Sequence, residues 1–74
     1  MEHTGALIRF WRVSQGLKQD GVAREVGITQ QELSKMEAGK DKVSDARLKD
    51  FARVLDVPVD VLKPENGSVA ERIA

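Results

Sequence analysis

The sequence has no cysteine and no tyrosine, and only one tryptophan, two phenylalanines and two prolines among its 74 residues. Without cysteine, neither a disulfide nor a thiolate metal site can brace the fold, and the lack suits a reducing cytosol. No basic segment followed by an apolar stretch and small residues opens the chain, and no apolar run approaches membrane-spanning length. The expectation is a soluble, cytoplasmic protein. His3 is the only histidine; it lies in a terminus expected to be disordered, so no positioned imidazole serves a nucleophilic triad. The carboxylates are scattered along helix surfaces, and no glycine-rich phosphate loop is present. Enzyme activity, a metal, a cofactor and a small-molecule ligand are therefore not expected.

An excess of one charge is missing as well. Twelve Lys and Arg balance twelve Asp and Glu. Between Gln15 and Lys42, five basic residues (Lys18, Arg24, Lys35, Lys40, Lys42) meet five acidic ones (Asp20, Glu25, Glu32, Glu37, Asp41). Strong polyanion binders carry a basic surplus, because neutralised phosphates release counterions. Composition alone does not point to nucleic acid here, so any such reading must rest on where residues are placed.

What the sequence does have is helical spacing, with no sustained period-two alternation. A chain this short buries only about 60% of its unfolded surface, so one compact domain over residues 1–63 is expected, with a flexible tail over 64–74. Leu7, Ile8 and Trp11 give a first helix from Thr4 to Gln15, with Gly16 as a left-handed cap. Gln19 to Val26 makes a short second helix, left at Gly27. Thr29-Gln30-Gln31-Glu32 has the capping-box form and starts a third helix, which Gly39 ends. Ser44 caps a fourth, whose stripe is Leu48, Phe51, Ala52 and Leu55. Pro58 opens a one-turn fifth helix carrying Val59, Val61 and Leu62. Val69 to Ile73 could form a short helix in a partner's presence.

The pair of short helices across Gly27 is the informative object. Two helices crossing steeply over a short turn need a small residue at closest approach, here Ala23, and a turn residue without a Cβ, here Gly27. Val22, Val26, Ile28, Leu33 and Met36 supply the apolar wedge that locks the crossing. The wedge leaves Gln31, Lys35 and Ala38 on the outer face of the third helix, with Gln30 at its open first turn.

At this point the sequence resembles the phage repressor and Cro-type (Xre-like) helix-turn-helix family. The resemblance covers about Ile8 to Leu62. It is carried by Gly16-Leu17, Gln19, Val22-Ala23, Val26-Gly27-Ile28-Thr29, Leu33-Ser34, Glu37, Gly39, Ser44, Leu48, Phe51-Ala52 and Leu55 to Val57. It implies an all-α, five-helix, lambda repressor-like domain whose second and third helices form the helix-turn-helix. It implies binding of double-stranded DNA as a homodimer on a palindromic operator, most simply as a transcriptional repressor. By the same resemblance, Thr29, Gln30, Gln31 and Lys35 would contact bases. Gln19, Lys40 and Lys42 would contact phosphates, and Arg12 and Glu37 would form a structural ion pair. A glutamine amide offers one donor and one acceptor, matching the N6 and N7 edge of adenine.

Some positions depart from the family pattern. Gly21 stands inside the second helix where Glu is common, Lys18 replaces a Ser or Thr cap, which would leave that helix start frayed, and Val43 replaces Pro. Asp45 lies where some relatives place a basic residue towards phosphate. Glu32 reads either as a cytosine contact or as half of the capping box. Phe10 reads either as a dimer contact or as a residue leaning on the tail. Val57, Pro58, Val59 and Val61 are the expected dimer surface. The balanced charge keeps open a second class of function, a protein-interaction module of the same fold, antitoxin-like or co-regulatory.

Overall fold

The computed structural model describes residues 3–64, so the expected tail and the short helix considered for Val69 to Ile73 fall, from residue 65 on, outside the described residues. The elements run α1 (Thr4–Ser14), α2 (Gln19–Val26), α3 (Gln30–Glu37), α4 (Asp45–Leu55) and a 3-10 turn at Val59–Leu62. Among the described residues there is no strand. The class is all-α, but among the described residues the expected five helices are four. Beyond Pro58 only four residues turn before Lys63 returns to extended backbone. They close with i to i+3 bonds, Val61 N–H to the Pro58 carbonyl and Lys63 N–H to the Asp60 carbonyl, the tighter geometry usual in such short pieces.

Local chemistry sets the ends of the helices. His3 is ordered, contrary to expectation: its Nδ1 accepts the Ala6 N–H at 3.1 Å and caps α1. The Lys18 side chain provides no cap for α2. Helix α2 nevertheless begins at Gln19, and the Asp20 carboxylate accepts the Gly21 N–H at 2.9 Å. It stops at Gly27, whose φ of 93° belongs to the left-handed region. Thr29 and Glu32 form the complete reciprocal capping box of α3. Ser44 Oγ accepts the Arg47 N–H and starts α4, which ends on Asp56 in a left-handed conformation that short polar side chains tolerate.

Among the described residues, nine make the core: Ile8, Val22, Ala23, Val26, Leu33, Leu48, Phe51, Leu55 and Leu62. All four helices and the 3-10 turn contribute to it. Burying a side chain of the size of Phe51, Ile8 or Leu33 is worth about 1.5–3 kcal/mol. The surface ion pairs Arg47–Asp50 and Arg53–Asp50, at 3.5 and 3.9 Å, each belong to a class worth about 0–1 kcal/mol. The apolar stripes therefore hold the fold together. Gly5 lets α1 lie directly against the backbone of Met36 and Glu37 at the end of α3.

Candidate nucleic-acid interface

The hinge between α2 and α3 is built as follows. Val22, Ala23, Val26 and Leu33 are buried, and Ile28 and Met36 pack partly buried against the same core. Gly27 and Ile28 both donate their N–H groups to the Ala23 carbonyl at 2.9 Å. The Val26 carbonyl accepts from Arg47 Nη1 of α4 at 3.1 Å. Arg47 escaped the sequence reading, although one signal was available. A cation in the first turn of a helix gains nothing from the helix dipole, so a basic residue there hints at a partner elsewhere.

With its inner side fixed, α3 turns its other side outward. Leu33 is fully buried and Glu37 nearly so, while Thr29, Gln30, Gln31, Ser34 and Lys35 are exposed. Glu32 is exposed too, but its Oε1 accepts the Thr29 N–H at 2.8 Å. That bond, followed by the bond to the Thr29 hydroxyl, holds its carboxyl below the ordinary carboxylate range. Of the two readings of Glu32, the structure carries the capping role.

Arg12, Glu37, Gln19 and Gln30 form a connected polar chain. Arg12 grips Glu37 with two bonds, Nε to Oε2 at 2.7 Å and Nη2 to Oε1 at 3.0 Å. The remaining guanidinium nitrogen, Nη1, donates to the Leu17 carbonyl at 2.9 Å. Gln19 Nε2 donates to Glu37 Oε1 at 3.1 Å, and Gln30 Nε2 donates to Gln19 Oε1 at 3.3 Å. Gln19 is half-buried and engaged at both ends of its amide. Its neighbours in space are thus Glu37 and Gln30, a pairing not visible from the sequence pattern.

Lys40 and Lys42 are exposed in the segment after α3, with Asp41 between them. The Lys40 N–H returns to the Lys35 carbonyl at 2.9 Å, which fixes where that segment leaves the helix. Val57, Val59 and Val61 pack partly against the core, and Pro58 is exposed. Among the described residues, the large apolar ones most open to solvent lie instead on and just after α1: Phe10 at 59%, Val13 at 55% and Leu17 at 36% exposure. Phe10 meets Trp11 edge to face at 5.2 Å between ring centres. Among the described residues no group of side chains could hold a metal ion, and no helix is long and apolar enough to cross a membrane.

The sequence matches the helix-turn-helix family over residues 8–62. It is 38% identical over 58 residues to a protein of Rhodospirillum rubrum described as an uncharacterized transcriptional regulator in the ATPase CF(0) region. That match covers 78% of this chain but 54% of the relative, so the chain spans about half the relative's length. Among solved structures it is similar to the restriction-modification controller protein C.AhdI from Aeromonas hydrophila. The TM-score is 0.76 at 27% identity, over 80% of this chain and 86% of that one. It also shares its fold with the clp gene regulator ClgR from C. glutamicum, with a TM-score of 0.80 at 24% identity, over 89% of this chain and 86% of that one. A wedge closed over a left-handed glycine, a reciprocally capped third helix and this match over most of the chain lead to one conclusion: the chain belongs to the Xre/Cro-type helix-turn-helix family.

Proposed function

We propose that the protein is a DNA-binding transcriptional regulator that inserts α3 into the major groove of duplex DNA. The observation that carries this reading is the two-sidedness of α3. Its inner side is packed into the domain through Leu33 and Glu37, while Gln30, Gln31 and Lys35 stand exposed on its outer side. Groove reading requires side chains held rigidly at the height of base edges, and adjacent amides suit adenine. The names of its relatives as transcriptional regulators support the same direction.

Thr29, Gln30, Gln31 and Lys35 are the proposed base contacts, and Lys40 and Lys42 the proposed phosphate contacts. Gln19 keeps its proposed place beside a phosphate. Its amide also has a second task inside the protein, since both ends are already bonded. With as many acids as bases, one copy neutralises few phosphates. A homodimer on a palindrome, with half-sites about 34 Å apart, is the economical route to useful affinity, and steric repression is the simplest outcome of such occupancy. The proposed dimer surface includes Pro58 and the outer parts of Val57, Val59 and Val61.

Selection from a randomised duplex pool tests the reading. Wild type should recover a two-fold symmetric site, and Gln30→Ala and Gln31→Ala should each relax base preference at separate positions. Unchanged preference in both variants would overturn base reading by α3. A second reading, a protein-interaction module, draws on the exposed Phe10 and Val13. It predicts no complex with DNA even at low salt, together with capture of a protein partner that a Phe10→Ser variant loses.

A further inference from the structure

We infer that the groove between α2 and the end of α4 is a docking surface for an acidic peptide segment of another protein, one that carries an aliphatic side chain among its carboxylates. The inference goes beyond the proposed contact with DNA and does not depend on it. Leu17, Gly21 and half-buried Val54 form the floor of the groove, over buried Val22. Lys18, Arg24 and Arg53 stand exposed along its rim, opposed by one acid, Glu25. Among the described residues that line it there is none from α3, and neither Lys40 nor Lys42.

Two independent observations point to such a partner. The first is Gly21. A glycine weakens a helix interior, and a turn or a close approach is the usual reason for one. Neither applies here: φ is not in the left-handed region, and a Cβ would meet nothing within 4 Å. What the missing side chain does is leave the floor open beside Leu17 and Val54. The second is charge. The chain as a whole has as many acids as bases, yet this groove gathers three cations against one carboxylate. Among the described residues, Lys18 and Arg24 have no acid within ion-pair distance, and Arg53 reaches only Asp50, at 3.9 Å. Asp20 does not line the groove; its carboxylate accepts the Gly21 N–H at 2.9 Å. Together the two observations select the ligand. A cationic rim attracts carboxylates and turns away basic partners. A phosphate backbone would use the rim but gain nothing from an apolar floor. A peptide uses both, seating an aliphatic side chain over Gly21 while its carboxylates meet Arg24 and Arg53.

The test is selection of displayed random peptides on the immobilised full chain, with no DNA present. Recovered peptides should be rich in Asp and Glu around an aliphatic residue. Titration with a synthetic copy of one should shift the backbone amide resonances of Leu17, Gly21, Arg24 and Val54. Gly21→Gln fills the floor without adding charge, and Arg24→Ala/Arg53→Ala clears the rim. Both variants should fold, since the space over Gly21 is empty and both arginines are exposed. Each should weaken the peptide by about fivefold or more, while affinity for duplex DNA stays at the wild-type level. Recovery of no peptide, or of neutral or basic ones, overturns the proposal, as do shifts confined to α3. A selected peptide that Gly21→Gln binds as tightly as wild type also overturns it, since charge alone would then explain the binding. Loss of DNA binding in step with peptide binding would assign the groove to DNA instead. Nuclear Overhauser contacts from the methyls of Val69 or Ile73 to Leu17 or Val54 in the free protein would make the chain's own residues 65–74 the occupant, and overturn it too.

Discussion

Gly5 of α1 and Met36 of α3 meet backbone to backbone: a Cβ built on Gly5 would collide with the Met36 carbonyl. No flexible side chain is available to give way, because the obstacle is main chain. Gly5→Ala should therefore force the start of α1 off α3, at an overpacking cost of about 2–3 kcal/mol or more. In a domain of this size each kcal/mol moves the midpoint by about 4–8 °C. A loss of some 10–20 °C in thermal unfolding is expected, and an unchanged Tm would refute the close approach.

Gly21 poses the opposite case. It lies inside α2, its φ is not in the left-handed region, and a Cβ there would meet nothing within 4 Å. Glycine in a helix interior costs about 0.5–1 kcal/mol relative to alanine. Gly21→Ala should stabilise the protein by about that amount, visible as a higher urea midpoint with the same slope.

These two glycines mark the limit of what sequence could reveal. The hinge was legible, because a small residue, a turn glycine and a capping box announce themselves within a dozen positions. Helix α2 and the start of α3 follow from such local rules. Gly5 reads in sequence only as a poor helix former, since its reason for being glycine lies 31 positions away at Met36. Separation in sequence likewise hid the bond from Arg47 to the Val26 carbonyl, 21 positions apart, and the polar chain in which Gln19 joins Glu37, 18 positions away, to Gln30, 11 positions away. His3 looked like part of a loose end because a histidine cap has no strong sequence signature. The fifth helix was overcounted because Pro followed by apolar residues marks a turn start but not whether a full α-turn follows.

The buried ion pair gives a third prediction. Arg12 and Glu37 are 12% and 4% exposed and bidentate. Removing one member strands the other away from water, whereas removing both does not. Glu37→Met should cost about 3 kcal/mol, and Arg12→Met/Glu37→Met should recover most of it. Chemical denaturation of the single and double variants measures the difference. Equal losses in both would mean that the site is as wet as the surface.

Lys40 and Lys42 separate positioning on DNA from reading it. Each is exposed beyond α3. If each neutralises one phosphate, Lys40→Ala should weaken binding to all sequences alike and lower the salt slope by about 1. Fluorescence titrations at several salt concentrations, on the selected site and on a scrambled duplex, decide this. A loss confined to the selected site would make Lys40 a base reader instead.

The capping box at Thr29 and Glu32 makes the last prediction, a pH dependence with a definite sign. The Thr29 backbone N–H, then its hydroxyl, draw the Glu32 carboxyl below its ordinary 4.5 in the folded protein. The unfolded chain therefore binds this proton more readily than the folded one. The stabilisation is fully present above about 4.5 and is lost as pH falls from there through the lower folded value. Glu32→Gln keeps a side-chain oxygen for the Thr29 N–H but cannot titrate. It should be less stable than wild type near neutral pH and lose less stability on acidification, so that the two curves converge below the folded value. Unfolding midpoints between pH 7 and pH 3 test this directly. Parallel curves across that range would mean that the carboxylate at the start of α3 does not sense the cap at all.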